Sequence, residues 1–588
     1  MKRNQMENNS LSWKIGGEAG YGIMTTGFIF AKACSRAGLH VFDHAEYPSL
    51  IRGGHNTYQV RAEVEEVFSH VKHVDLLVAL NKETIDRHKE ELAPGGGIIY
   101  DGGKTPLSEE GLGREDVKLN SIPLLRLAEE SGGRRIMINS VALGASVAFI
   151  NFDFEMLSSV IRDVYRGKAK ETIEFNIKAA RLGYNYVKSK GMEEDFGRRL
   201  PKVGGKKRML LTGNEATGLG AIKAGCKFYV AYPMTPASSI LHFMAAQERN
   251  FSLVVKHPED EIASINMAIG AGFAGVRAMT ATSGGGFSLM TEALGLAAMT
   301  ETPVVIVVCQ RPGPSTGLAT HTEQGDLKFV LHASHGDFPR FVIAPGDVED
   351  CFYKTIEAFN LAERYQCPVI LILDKFLSES HKTAEKFDVS GVKTDRGLLF
   401  SDEELERIEE FKRYEFTETG ISPRAIPSQR GGIFTATGNE HDETGYLSED
   451  KTVRTKMMDK RFRKFEQAER EIPEPKLFGP KEVEVTIIAW GSTKGPIREA
   501  MKLLDRDGIK ANFLQIVYIS PFPKNTVSEI FETSKRIVIV ENNKTAQLAS
   551  LIKEKTGKEI EHKILKYDGR QFFPTDIYQR VKEVLLNG

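Results

Sequence analysis

Three acids in a row, Glu259-Asp260-Glu261, run directly into the stretch IASINMAIGAGFAG ending at Gly275. Glu259 and Asp260 suit the first turn of a helix, where negative charge meets the positive end of the helix dipole. Glu261 stands nearer the apolar part, and Ala263, Ala268, Ala271, Gly272, Ala274 and Gly275 strip the helix of bulk. That costs helix propensity, and it makes sense where another backbone or a flat ligand approaches closely. A partly desolvated carboxyl at Glu261 can share a proton with a ring nitrogen. The bland alternative is an acid that does no more than stabilise the dipole.

Two further stretches supply complementary groups. In Tyr232-Pro233-Met234-Thr235-Pro236 two prolines stiffen a turn after the strand-like FYVA and fix the Thr235 hydroxyl in place. Arg311 comes after the apolar run VVIVVCQ, at a strand's carboxyl end, where a guanidinium can grip a carboxylate in two-pronged fashion. Thr320, Gln324 and Asp326 continue on a polar loop, and His321 there reads as a solvated histidine before it reads as a base. A weaker signal is GGEAGYG, Gly16 to Gly22, whose glycines let backbone amides approach a phosphate at the start of a helix near Met24. Downstream, Arg52 and Arg61 flank Gly53-Gly54 in RGGHNTYQVR, either to grip a phosphorylated ligand or as part of a solvated hairpin.

The elements that must position these groups alternate between apolar runs and helical stretches, a pattern that predicts α/β architecture with parallel sheets. At 588 residues the chain is long enough for three or four domains. We place them at 1–195, 206–385 and 482–588, with a linker near KGMEEDFGRRLPKVGGKKR. A Pro- and Gly-rich insertion at 386–481 contains the charged, helix-like DEELERIEEFKRYEF.

Charge is balanced, 78 basic against 79 acidic residues, so neither nucleic acid nor an anionic membrane is expected as partner. No stretch of about 18 apolar residues is present and the start lacks the apolar run of a signal peptide, which predicts a cytoplasmic protein. Cys34, Cys226, Cys309, Cys351 and Cys367 are far apart, without a C-x-x-C pair. They read as reduced core thiols, so no metal site is expected on this chain and any iron-sulfur cluster must sit on another.

Taken together, YPMTPAS, EDEIAS, TATSGGG and CQRPGPSTGLATHTEQGDL, in that order, resemble the alpha subunit of a 2-oxoacid:ferredoxin oxidoreductase. GGEAGYG, RGGHNTYQVR and NSVALGA are similar to the gamma domain fused in front of it, GISPRAIP and GNEHDETG to the connecting segment, and the last hundred or so residues to a transketolase C-terminal domain. The resemblance implies three α/β domains: gamma-like, thiamin-diphosphate pyrimidine-binding, and transketolase C-terminal-like. It implies that Glu261 hydrogen-bonds the coenzyme's aminopyrimidine, that Pro233, Tyr232 and Ser283 line the ring, that Thr235 and Arg311 hold the substrate, and that Arg52, Gly53 and Gly54 meet coenzyme A.

It further implies oxidative decarboxylation of a 2-oxoacid to acyl-CoA with reduction of ferredoxin. The fused layout favours 2-oxoglutarate, with pyruvate or a branched or aryl oxoacid as alternatives. A noncatalytic scaffold and a nicotinamide-dependent dehydrogenase, with Asp43 or Glu46 on the ribose, are the rival classes. The thiamin family's G-D-G motif is missing from this sequence. The resemblance therefore places the diphosphate, magnesium and a [4Fe-4S] cluster on a beta subunit, in an αβ or (αβ)2 assembly.

Overall fold

The computed structural model describes residues 9–48, 54–132, 135–201, 203–204 and 207–586. They form two compact units: Met1–Leu211 with Ser380–Phe387, and Thr212–Glu379 with Asp388–Gly588.

The first unit contains strands β1 (Ser10–Glu18), β2 (His40–Glu46), β3 (His55–Glu63), β4 (Val74–Ala79), β5 (Leu92–Tyr100) and β6 (Lys118–Ser121). Parallel pairing joins β1, β4, β5 and β6. The expectation of a parallel sheet fails at β3, which pairs antiparallel with both β1 and β2. The spacer between Glu46 and His55 is too short for the dozen or so residues that a parallel crossover needs. The part of RGGHNTYQVR from His55 onward therefore enters a sheet interior, and the solvated hairpin is excluded there: β3 is buried from Asn56 to Ala62. Arg61 is not available to a ligand, because Nε donates to Glu63 at 2.7 Å and Nη1 to the Ser69 carbonyl at 2.9 Å. Two late strands, β7 (Met209–Thr212) and β14 (His381–Ala384), complete the eight-stranded sheet beside β2.

The helix after the glycine turn is Ile23–Arg36, with Gly22 in the left-handed region as its N-cap. Asn139, from NSVALGA, donates to the Tyr21 carbonyl at 3.1 Å. A Cβ on Gly22 would lie 2.4 Å from the same amide nitrogen, so the turn is packed from within. Arg52 and Gly53 lie outside the described residues. Gly54 has φ 78°, and a Cβ there would lie 2.3 Å from Pro48. Asp43, one of the two acids that a dinucleotide's ribose could use, is buried; it accepts from the Tyr58 hydroxyl at 2.6 Å and the His381 amide at 2.8 Å.

In the second unit, β8 (Phe228–Val230), β9 (Val254–Lys256), β10 (Ala278–Thr282), β11 (Val304–Gln310), β12 (Phe341–Ile343) and β13 (Pro368–Asp374) make a parallel sheet ordered β12-β13-β11-β10-β8-β9. Strands β10, β11 and β13 are buried along their whole length, as largely apolar runs should be when helices cover both faces. A third sheet is built from β15 (Lys476–Phe478), β16 (Val485–Trp490), β17 (Ala511–Ile516), β19 (Ile537–Glu541) and β20 (His562–Leu565). Its core is continuous with that of the second sheet: Trp490, Leu514, Ile539 and Leu548 join Phe287, Met290, Ile306 and Ile372 in one apolar cluster. The short β18 (Tyr518–Ser520) crosses to pair with β12.

The charged stretch DEELERIEEFKRYEF is not one exposed helix. Only Asp402–Leu405 is helical, and Tyr414 at its end is buried. The long helix of this segment is Lys451–Glu471. Its anchor is electrostatic: Lys460 and Lys464, both buried, reach the buried Glu301, Lys460 at 2.6 Å. Burial by itself would push the Glu301 carboxyl up, but Lys460, Lys464 and Arg413 overcome it and hold the carboxyl far below the usual range. A second clamp joins Glu363 to Arg277 at 2.9 Å and Arg424 at 3.1 Å. All five cysteines are buried and unpaired.

Removing one member of such a cluster leaves an uncompensated buried charge. Glu301→Gln, which strands Lys460 and Lys464 without a counter-charge, is expected to lower stability by about 3–5 kcal/mol, read as a shift in denaturant midpoint. Replacing Glu301, Lys460 and Lys464 together by apolar residues of like volume is expected to recover most of that loss.

Candidate functional site

The carboxyl ends of β8, β9, β10 and β11 deliver the residues singled out in the sequence to one edge of the second sheet, where open α/β sheets bind ligands. Tyr232 to Pro236 come after β8, Glu261 after β9, Ser283 after β10 and Arg311 after β11.

Glu261 opens the helix Glu261–Phe273. The cap is Asp260, whose side chain accepts from the Ala263 amide at 2.8 Å, and Glu259 is exposed. With Asp260 capping the helix, Glu261 turns inward: it is 3% exposed, and its Oε1 is buried with no hydrogen-bond partner among the described residues. An unsatisfied buried oxygen costs about 1–3 kcal/mol, more if charged, so this geometry calls for a group that the chain does not itself supply.

The helix Gly284–Met299 forms the opposite wall, and its glycines are needed for contact. A Cβ on Gly286 would lie 2.5 Å from Glu261 Oε1 and 2.0 Å from Thr282 Oγ1; one on Gly284 would lie 2.4 Å from Asp326 Oδ2. TATSGGG is therefore a cradle between two carboxyls. Ser283, the N-cap, makes no side-chain cap bond, and its buried Oγ lacks a partner among the described residues.

Thr235 and Arg311 do meet, but through the backbone: Arg311 Nη1 donates to the Thr235 carbonyl at 2.8 Å. Tyr232 is half-exposed, its ring edge-on to His257 with centroids 5.7 Å apart, and Pro233 is partly buried. Burial pulls Arg311 below its ordinary range while Asp326 raises it.

A further member of the site is Asp326, on the polar loop after Arg311. Burial pushes its carboxyl up to about 6 against the opposing pull of Arg311. Its amide donates to Gln310 Oε1 at 2.9 Å. The loop from Arg311 to Asp326 is anchored by the third sheet: Gln324 Nε2 donates to the Trp490 carbonyl at 2.9 Å and Gln324 Oε1 accepts from the Asn542 amide at 2.9 Å. The one sequence signal for Asp326 is its position directly before the helix Leu327–His332, which reads as a cap. His321 packs against Gly569 on this loop, away from the Glu261 wall.

The site can thus present a buried acid to a ring nitrogen and a guanidinium to an anion, at the switch edge of a parallel sheet. An orphaned Glu261 oxygen in a glycine cradle fits an aminopyrimidine. This is the architecture of the pyrimidine-binding domain of a thiamin-dependent enzyme.

Comparison with known proteins gives the same class. Residues 219–460 match the family model described as pyruvate flavodoxin/ferredoxin oxidoreductase, thiamine diP-binding. Residues 12–186 match the pyruvate ferredoxin/flavodoxin oxidoreductase model and residues 483–577 the pyruvate:ferredoxin oxidoreductase core domain II model. The 2-oxoacid:ferredoxin oxidoreductase subunit alpha of Sulfolobus sp is 34% identical, across 98% of this chain and 97% of the relative. A 2-oxoglutarate oxidoreductase subunit KorA of Mycobacterium tuberculosis is 29% identical across 99% of this chain and 92% of its own. The solved 2-oxoglutarate:ferredoxin oxidoreductase from Magnetococcus marinus, with 2-oxoglutarate, coenzyme A and succinyl-CoA bound, superposes with a TM-score of 0.90 at 35% identity, covering 98% of this chain and 100% of that one. The chain belongs to the family of 2-oxoacid:ferredoxin oxidoreductase alpha subunits, one component of a multi-subunit oxidoreductase.

Filling the cradle tests the geometry. Gly286→Ala is expected to lower turnover of the assembled enzyme at least tenfold, about 1.4 kcal/mol of barrier, by displacing the Glu261 carboxyl. A Cβ on Gly285 meets nothing nearer than Met234 Sδ at 3.9 Å, so Gly285→Ala is expected to leave the unfolding midpoint within about 0.5 kcal/mol of wild type.

Proposed function

We propose that this chain is the gamma-alpha fused subunit of an enzyme that oxidatively decarboxylates 2-oxoglutarate to succinyl-CoA and carbon dioxide, passing the electrons to ferredoxin. The observation that carries this reading is the buried Glu261 Oε1, partnerless among the described residues, behind a wall of glycines. The choice of 2-oxoglutarate is supported by the ligands of the Magnetococcus marinus structure and by the names of the KorA relatives.

Thiamin diphosphate supplies a carbon nucleophile that adds to the oxo group and an electron sink for the charge left when carbon dioxide departs. Glu261 holds a shared proton against the coenzyme's ring, favouring the tautomer in which the ring's amino nitrogen can accept a proton. Pro233, Tyr232 and Ser283 fix the ring's position. Arg311, anchored on the Thr235 carbonyl, orients the oxoacid through its carboxylate, and the Thr235 hydroxyl assists at the oxo group. Charge-assisted bonds of this kind contribute about 1.5–3 kcal/mol each. Without a G-D-G motif the chain contributes half a site. A beta subunit completes it with the diphosphate and magnesium site and carries a [4Fe-4S] cluster, in an αβ or (αβ)2 assembly; coenzyme A takes the acyl group, with Arg52, Gly53 and Gly54 as its contacts.

Glu261→Gln is expected to abolish oxoacid-dependent reduction of a viologen dye while the subunits still co-purify. Retention of more than about a tenth of normal turnover would overturn the proton-sharing role. For Arg311→Lys a raised KM is expected, because a point charge replaces a planar fork; an unchanged KM would exclude Arg311 from the substrate.

A further inference from the structure

Asp326 is the one group of the site with chemistry that oxidative decarboxylation leaves unused. Its carboxyl is mostly buried, accepts no hydrogen bond among the described residues, and Oδ2 is among the buried atoms without a partner. It has little room to turn away, since Gly284 backs it from the helix side and its own amide is held by Gln310. The charged groups that interact with it are Arg311 and Glu323, both on its own loop; Glu261 lies further along the cradle helix, against Gly286. Lys328, on the next helix, is exposed. Arg311 is the cation that acts on Asp326, and one of its nitrogens is already committed to the Thr235 carbonyl.

An anionic substrate arriving at Arg311 adds a further negative charge to this group. In a poorly solvated site that repulsion is relieved by neutralising the carboxyl beside Arg311, that of Asp326, whose buried Oδ2 has no partner among the described residues. We propose that Asp326 is a specificity-determining residue of the oxoacid subsite: the substrate's carboxylate enters beside Arg311 together with one proton, taken from solvent by the Asp326 carboxyl. This rests on the reading of Arg311 as the substrate's anchor. Burial already raises the Asp326 carboxyl to about 6 before any anion is bound, so little rearrangement is needed. In neutral form it also becomes a donor, able to hydrogen-bond an oxygen of the ligand. The device favours oxoacids over their neutral amides or alcohols, because only an anion makes proton uptake favourable.

Linkage sets the sign. Substrate binds the protonated form, so affinity is full below the pKa of Asp326 and falls as pH rises, by at most tenfold per pH unit for one proton. In the assembled enzyme, with 2-oxoglutarate and pyruvate as probes and viologen as acceptor, KM is expected to rise roughly fiftyfold between pH 6 and pH 8, with no matching slope in kcat. In Asp326→Asn, which is permanently neutral, KM is expected to vary less than about twofold over that range. Calorimetric titration in two buffers of different ionisation enthalpy is expected to show uptake approaching one proton per oxoacid in the wild type and none in the variant.

A flat wild-type KM, or a slope that survives in Asp326→Asn, would overturn the proposal. Should the variant fail to assemble, the buffer comparison on the wild-type enzyme decides alone: no proton uptake overturns it. Failure of the underlying reading looks different, since Arg311→Lys would then leave KM unchanged at every pH. If Arg311→Lys raises KM while Asp326→Asn keeps its slope, Arg311 anchors the substrate and Asp326 has no part in it.

Discussion

A carboxylate buried at the start of a helix, with one oxygen left open, constrains everything built around it. Glu261 can face inward because Asp260 already caps the helix, and it can come close to the neighbouring helix because that helix begins with glycine. Replace either and the acid must move toward solvent, where it would be an ordinary dipole-stabilising residue. The penalty for leaving its oxygen unpaired is of the same order as a sizeable fraction of a domain's net stability. Such a penalty persists when another molecule repays it, and in the function proposed above that molecule is thiamin diphosphate.

The surroundings hold this arrangement rigid with buried charge as well as with apolar packing. Glu301 ties the helix Lys451–Glu471 to the end of the helix that carries the glycine cradle, and Glu363 ties Arg424 of the connecting segment to Arg277 at the edge of β10. Buried ion pairs contribute little net stability, yet they tolerate only one arrangement, since any slip strands a charge. That suits a segment with little regular structure of its own. On the other side, Gln324 ties the loop from Arg311 to Asp326 to Trp490 and Asn542 of the third sheet, so that sheet acts on the site by holding Arg311 and Asp326 in place.

The two units differ in how well their motifs could be read. YPMTP, EDEIAS and RPGPSTG sit at strand ends, where side-chain type reports directly on function, and they converge in the structure as their order implies. RGGHNTYQVR misled in its second half. Arg61 looks like a ligand's arginine, but the antiparallel return of β3 buries it, and Glu63 with the Ser69 carbonyl takes up its donors. The charged stretch from Asp402 failed as a helix for a related reason: its aromatic residues Phe411 and Tyr414 pack against Phe434, and that contact overrides local propensity.

By itself the sequence determined the α/β class, the order of the motifs, the identity of the buried acid and the missing G-D-G, because each depends on residue type at a local position. Only the tertiary structure decided that Arg311 bonds the Thr235 backbone and not its side chain, that Gly284 and Gly286 back two different carboxyls, and that Asp326 belongs to the site. These relations join residues from separate strand ends. Their distances are set by sheet order and by close packing at glycine, and nothing in the local pattern of the chain encodes which strands become neighbours.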